Sequence, residues 1–217
     1  MKTRKYLAEL IWTFALVFFW TGSVVVNQQF GGSLWLLWIS LTFGIIVTSV
    51  IYIFGGISGA HINPAVTIAL VFWKEMKAKK ATFYIIAQVI WAILASVLLR
   101  IMFPENIWLG QTLPSGSAIQ SLIMEIVMTF FLMLTILWIT WQGWMHTKAL
   151  AWIIIWWFIV WAILLSWPVS GGSFNPARSF APALISWNMA HIWIYLLWPI
   201  IWSIWAMFVW IGMKGED

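Results

Sequence analysis

Long apolar runs follow one another along the chain, with short polar segments between them. A helix that crosses a bilayer needs about 20 mostly apolar residues. Six stretches reach that length: about 6–26, 34–54, 82–103, 119–140, 149–167 and 192–213. The pattern predicts an all-α membrane protein with six transmembrane helices.

Two further apolar segments, about 64–73 and 176–186, are too short to span a bilayer, and each begins at an Asn-Pro-Ala triplet. Asn is a good N-cap, Pro is tolerated at the first helical position, and Ala favours the helix that follows. We therefore expect two re-entrant half-helices. Irregular backbone at membrane depth is tolerated where protein buries it or where it lines a water-filled cavity, so the pair indicates a pore.

An internal repeat relates the two halves of the chain. Three pairs of equivalent residues follow one another in the same order: Glu9 with Glu125, Asn63 with Asn175, and Tyr84 with Tyr195. The repeat divides a single domain, 1–217, into halves of about 1–103 and 113–217. Because each half has three spans, the second half is inverted, and the two half-helices should enter from opposite faces and meet near the midplane.

Composition restricts the class of protein. The 217 residues are 64% hydrophobic and 8% charged, whereas a soluble domain is about 25% charged. Cysteine is absent, which leaves no disulfide framework and no thiolate metal site. The sequence has no recognisable metal cluster, nucleophile–base pair or phosphate loop. We therefore expect an integral membrane protein that is not an enzyme and holds no cofactor or metal.

The net charge of +5 is better explained by membrane orientation than by nucleic-acid binding, because the basic residues are confined to short segments between apolar runs. Most of them fall on one side of the predicted spans: Lys2, Arg4, Lys5, Lys74, Lys77, Lys79, Lys80, Lys148 and Lys214. Short loops rich in Lys and Arg stay in the cytoplasm. The pattern predicts cytoplasmic termini, and we expect the cell membrane.

The centre of the predicted pore would bring two helix N-termini together, each with a partial positive charge of about half an elementary unit. Such a centre disfavours cations, while the side-chain amides of Asn63 and Asn175 can donate to a neutral solute. Acceptors along the path would be the loop carbonyls of these residues: Gly59, Ala60, His61, Gly171 and Ser173. Donors flanked by acceptors suit water or another small uncharged molecule.

These motifs resemble the aquaporin, or major intrinsic protein, family over essentially the whole chain. The doubled Asn-Pro-Ala, with Arg178 shortly after the second, carries the resemblance. The resemblance implies a passive water channel that excludes protons and ions by pore diameter, lining groups and positive barriers. It also implies a homotetramer in the bilayer and a second constriction, or selectivity filter, formed by Phe43, Ile163, Gly172 and Arg178.

The solute remains open between water and a glycerol- or ammonia-like molecule. Water-selective relatives often have His where this chain has Ile163, and Gly172 opens space beside it. Ser179 stands where glycerol facilitators usually have Asp, which favours water, but Leu196 departs from the Trp common in the water branch.

Buried charges at these motifs have alternative roles. Glu9 and Glu125 could carry protons, but their symmetric placement favours support of the loops, each accepting N–H groups from a re-entrant loop. Arg178 could cap a buried carbonyl, although an Arg inside a membrane is costly and indicates function.

The chain has 21 Trp and 14 Gly, an unusual ratio for helices that pack closely through small residues. Large rings lie inside the predicted spans, several of them at expected helix crossings: Trp20, Trp91, Trp161, Trp198 and Trp202. We hypothesise that many of these Trp stand where the native protein has Gly, through a UGA codon read under the wrong genetic code or through deliberate substitution. If the Trp are native, the alternative function is a membrane scaffold whose pore is blocked.

Overall fold

The computed structural model describes residues 2–141 and 144–214, which form eight helices and no strand. Residues 1, 142, 143 and 215–217, including both ends of the predicted domain 1–217, lie outside the described residues. The helices are α1 (Lys2–Gln29), α2 (Leu36–Ser58), α3 (Pro64–Phe72), α4 (Ala78–Met102), α5 (Ala118–Trp141), α6 (Trp144–Ser170), α7 (Pro176–Ile185) and α8 (Ile192–Lys214).

The six predicted spans correspond to α1, α2, α4, α5, α6 and α8, all long and apolar enough to cross a membrane. The two short segments are α3 and α7. The predicted end of the second span, near residue 54, was too early, because α2 continues to Ser58. It stops where Gly59 adopts a left-handed conformation (φ 93°) and donates its N–H to Gly55 O, a common helix ending.

Packing between the helices has a twofold pattern. In the first half α1 contacts α2 and α4, and in the second half α5 contacts α6 and α8. Each half-helix also packs across the halves, α3 against α8 and α7 against α4. Each half-helix also contacts a span of its own half, α3 with α4 and α7 with α8, and two further contacts, α2 with α6 and α3 with α7, join equivalent elements of the two halves.

The core between α1, α2, α5 and α6 is filled by large apolar side chains, among them Leu16, Trp20, Phe43 and Ile163. The contact between α4 and α7 uses small residues instead: Ala92, Ala95, Ala177 and Ala181. Small residues allow helix backbones to approach closely inside a membrane.

The Trp side chains occupy different environments from one another. Trp91 packs edge-on against Phe14 between α1 and α4, and Trp202 packs edge-on against Phe130 between α5 and α8, which is the equivalent crossing. Trp161 lies within the span formed by α6, but its side chain is 58% exposed rather than at a helix crossing. It lies on the outward face of α6, where lipid accommodates a large ring.

Candidate pore

The two half-helices begin in the same way. Asn63 is extended (φ −150°) and its Oδ1 accepts the N–H of Ala65 at 2.9 Å. Asn175 is also extended (φ −146°), and its Oδ1 accepts the N–H groups of Ala177 and Arg178 at 3.1 and 3.4 Å. Each Asn is followed by Pro at the first helical position. Local sequence alone explains these starts, because the caps satisfy N–H groups that have no partner within the helix.

The same two side chains tie the loops together. Asn63 Nδ2 donates to Phe174 O at 2.7 Å, and Asn175 Nδ2 donates to Ile62 O at 2.8 Å. A side-chain amide has two N–H donors. One N–H of each Asn is therefore used across the molecule, and a second remains for a solute in the cavity that both residues line.

The loops before the half-helices share an unusual backbone. Positive φ angles occur at equivalent positions of the two loops: Gly59 with Gly171, Ala60 with Gly172, and Ile62 with Phe174. Residues other than Gly rarely adopt a positive φ angle, and this backbone conformation persists only where surrounding contacts hold it.

Two buried carboxylates supply those contacts. Glu9 accepts the N–H groups of His61 and Ile62 at 3.0 and 2.8 Å. Glu125 accepts those of Ser173 and Phe174, both at 2.8 Å. Each carboxylate has one more donor, Gln88 Nε2 for Glu9 and Ser170 Oγ for Glu125.

Two tyrosines hold the loops from behind. The hydroxyl of Tyr84 donates to Ser58 O at 3.0 Å, and that of Tyr195 donates to Ser170 O at 2.9 Å. Both rings are fully buried. The three pairs of repeated residues therefore meet at one structure, the pair of re-entrant loops.

A cavity of about 210 Å³ runs along these loops. It reaches from Glu75 and Lys80, on the lysine-rich side, past Asn63 and Asn175 to Phe43. Of the predicted acceptor residues, Gly59, Ala60, His61 and Ser173 line it, whereas Gly171 does not. The remaining wall is mostly apolar, with Leu16, Val47, Val66, Leu132, Ile136 and Ile159 among its residues.

Three of the four expected filter residues, Ile163, Gly172 and Arg178, do not line this cavity. Ile163 is buried against Gly172, where an added Cβ would lie 2.8 Å from Ile163 Cδ1. Phe43 and Ile163 belong to the same apolar cluster. We call the region of Ile163, Gly172 and Arg178 beside Phe43 the outer end of the pore. Here Thr112, from the connecting segment 103–117, lies beside Gly171 and donates its hydroxyl to Ser179 Oγ.

The outer end is occupied by the indole of Trp20, which was not among the expected filter residues. Its ring stacks on Phe43, with 3.8 Å between ring centroids and 12° between the planes. Arg178 Cζ lies over the same ring, 4.0 Å from its centroid. The indole has no exposed surface and contacts both Phe43, which lines the cavity, and Arg178, which does not. The signal that could have identified Trp20 is its place in span one, one helical turn after Leu16.

Arg178 has an unusual environment. Its side chain is fully buried, and Nε, Nη1 and Nη2 have no hydrogen-bond partner among the described residues. The guanidinium therefore caps no carbonyl there. A buried guanidinium needs partners for five N–H groups. The face of an aromatic ring does not accept hydrogen bonds from these groups in the way that the lone pair of an oxygen atom does. The site has the chemistry of one that holds water.

The model of the major intrinsic protein family matches residues 1–210. The chain belongs to this family. It is therefore a membrane channel of the class that passes water and small solutes, not an enzyme.

Among its relatives, aquaporin NIP1-1 of Zea mays is 37% identical over 199 residues, covering 91% of this chain and 70% of the relative. Nodulin-26 of Glycine max is 35% identical over 215 residues, covering 99% of this chain and 79% of the relative. The fold is similar to that of the aquaglyceroporin from Plasmodium falciparum, with a TM-score of 0.87 and 21% identity, covering 99% and 98% of the two chains.

Proposed function

We propose that this channel conducts water passively, together with small uncharged solutes, along the cavity between the two half-helices. The observation that carries the proposal is the cavity itself, which reaches from the lysine-rich side to both Asn63 and Asn175. Most of its wall is apolar, so a solute would find hydrogen-bond partners mainly at the Asn pair and at the loop carbonyls. Such a path suits water molecules, which would pass along it while making few hydrogen bonds to the protein.

We assign the pore centre to Asn63 and Asn175. The free N–H of each amide would orient the solute, and the positive ends of α3 and α7 would repel cations and protons. At the outer end, Phe43, Ile163, Gly172 and Arg178 would set the size limit, with Arg178 as a second positive barrier. The carbonyls of Gly59, Ala60, His61 and Ser173, which line the cavity, would accept hydrogen bonds along the way, and that of Gly171 would do so only beyond the cavity, at the outer end.

Glu9 and Glu125 are assigned to loop support. Each carboxylate oxygen already accepts a backbone N–H, and neither residue lines the cavity. A proton carrier would need access to the path, so transport of protons through these groups is the weaker alternative. The matching contacts also support the division of the single domain into halves of about 1–103 and 113–217.

We propose the orientation of the protein in the membrane from its basic residues, and its assembly from its exposed apolar surface. The Lys-rich segments at the start of α1 and from the end of α3 to the first turn of α4 would place both termini in the cytoplasm, with the protein in the cell membrane. The side chains of Lys2 and Lys148 lie outside the described ones. A homotetramer with one pore per subunit would cover part of the apolar surface that the helices turn outward, and the bilayer would cover the rest.

The test is osmotic water flow into vesicles carrying the purified chain, measured by stopped-flow light scattering. The assay includes the Trp20→Gly variant, because the indole of Trp20 contacts both Phe43, which lines the cavity, and Arg178, which does not. We expect at least the vesicles that carry Trp20→Gly to change volume faster than empty vesicles, and a glycerol gradient run in parallel measures the alternative solute. A rate equal to that of empty vesicles for both proteins would contradict the proposed function.

A further inference from the structure

We propose that the indole of Trp20 is the closure of the outer end of the pore, a fifth residue of the filter that occupies the position of the solute. This inference rests on the proposed function, because it concerns the same path. It assigns to the filter a residue that the sequence pattern named only as one of five Trp inside the spans.

The first argument is the shape of the cavity. Its lining includes Phe43 and Leu16 but not Ile163, Gly172 or Arg178. Trp20 lies on α1 one turn after Leu16, and its ring covers Phe43 face to face. Trp20 itself is not among the lining residues, so the cavity ends at Phe43 and the indole lies directly behind that ring.

The second argument is the environment of Arg178. Arg178 Cζ lies over the indole, 4.0 Å from its centroid, and the three guanidinium nitrogens are buried with no hydrogen-bond partner among the described residues. Within the same part of the chain, Trp20 Nε1 is also buried without a partner. An aromatic face attracts a cation, but it does not replace the hydrogen bonds that water gives a guanidinium. The ring thus occupies a place beside donors that have no partner among the described residues.

The third argument is the consequence of a smaller side chain. Removing the indole leaves a space bounded by Phe43 on one side and Arg178 on the other. A space of that size with several polar donors holds water, whereas a purely apolar space stays dry. Water there would join the cavity to the outer end, and Arg178 would gain its partners.

The experiment compares water permeability of vesicles that carry equal amounts of the chain, Trp20→Gly and Trp91→Gly. Trp91→Gly is the matched control, because it deletes the same ring from a helix crossing away from the cavity. We expect Trp20→Gly to raise the permeability by roughly tenfold or more over the chain, since pore diameter limits conduction. Trp91→Gly should leave it unchanged.

Two further variants keep the test decisive if Trp20→Gly folds poorly. Trp20→Ala also removes the ring while preserving helix propensity, and should open the pore as Gly does. Trp20→Phe keeps an aromatic ring that can stack on Phe43, and should open it much less. Size-exclusion elution of each variant shows whether it assembles as the chain does.

The outcomes separate this inference from the proposed function. Equal permeability of the chain and Trp20→Gly, both above empty vesicles, would overturn the closure and leave the channel function standing. Permeability at the level of empty vesicles for every variant would overturn both. A rise in Trp91→Gly as large as that in Trp20→Gly would also overturn the closure, because loosened helix packing would then explain both.

Discussion

At the scale of single residues, the buried charges of this channel differ in how well they are paired. Glu9 and Glu125 each accept three hydrogen bonds, two of them from the re-entrant loop. Arg178 has none from the described residues. Burying a charge without partners is costly, so the carboxylates stabilise the loops, whereas the guanidinium has only the face of the Trp20 ring beside it.

Glu9→Gln tests loop support. One oxygen becomes an NH₂ group that faces a donor, either a backbone N–H of the loop or Gln88 Nε2, so at least one hydrogen bond is lost. We expect a loss of about 1–3 kcal/mol in the free energy of unfolding, as for a buried donor left unpaired. The measurement is denaturant or thermal unfolding in detergent.

The matched control is Glu105→Gln, the same change at an exposed carboxylate of the segment between α4 and α5. Its stability should equal that of the parent chain. Equal stability of Glu9→Gln and Glu105→Gln would show that the carboxylate of Glu9 does not hold the loop.

Sequence reasoning located Glu9 and Glu125 because the repeat pairs them, and the sequence pattern carries that information. It did not place Trp20 against Arg178. These residues are far apart in the chain, and their contact depends on how α1 packs beside α7 and α2. Periodicity predicts that a side chain lies within a span, but not which distant group it touches.

At the scale of elements, α3 and α7 are short helices whose beginnings carry both structure and proposed function. The cap at Asn63 follows from local rules and was predictable from the Asn-Pro-Ala triplet. The crossed hydrogen bonds from Asn63 to Phe174 O and from Asn175 to Ile62 O were not predictable, because they require the two halves to be docked. Each Asn thus stabilises its own helix and the opposite loop.

Two substitutions at Asn63 separate these contributions. Asn63→Ser retains an N-cap acceptor but loses the donor to Phe174 O, and should cost about 1 kcal/mol of unfolding free energy. Asn63→Ala loses both interactions and should cost about 2 kcal/mol. Unfolding of the purified variants provides the measurement.

Asn188→Ala serves as the control, because that side chain accepts a single N–H, from Ala190, in an exposed turn. Its effect should be well below that of Asn63→Ala. Identical stabilities for Asn63→Ser and the parent chain would mean that the crossed bond contributes nothing to docking of the loops.

At the scale of the whole molecule, hydrophobic length and the repeated motifs predicted six spans, two half-helices and their order. The spans follow from the requirement that backbone groups in lipid be satisfied within helices. What the sequence did not specify is how large rings are accommodated. Trp91 and Trp202 occupy equivalent crossings, Trp161 faces outward, and Trp20 fills the outer pore.

The N–H groups of several buried indoles lack hydrogen-bond partners in this packing. The Nε1 groups of Trp12, Trp20 and Trp202 are buried without a hydrogen-bond partner among the described residues, although a buried Trp N–H usually has one. This agrees with the hypothesis that many Trp replace native Gly. The hypothesis predicts that intact protein from its native source is lighter than the written sequence by one Trp-to-Gly difference per replaced position, measured by mass spectrometry. A mass equal to that of the written sequence would reject it.

The central claim is a single path for water that passes the Asn pair and is closed by Trp20. The most direct test is the water permeability of vesicles carrying Trp20→Gly combined with Ile159→Trp. Ile159 lines the cavity on the inner side of the filter, so a ring there should block the opened path. We predict that the double variant returns to the rate of empty vesicles, while Trp20→Gly with Ile159→Ala stays fast. Equal, fast rates for both double variants would show that water crosses elsewhere and would contradict the account.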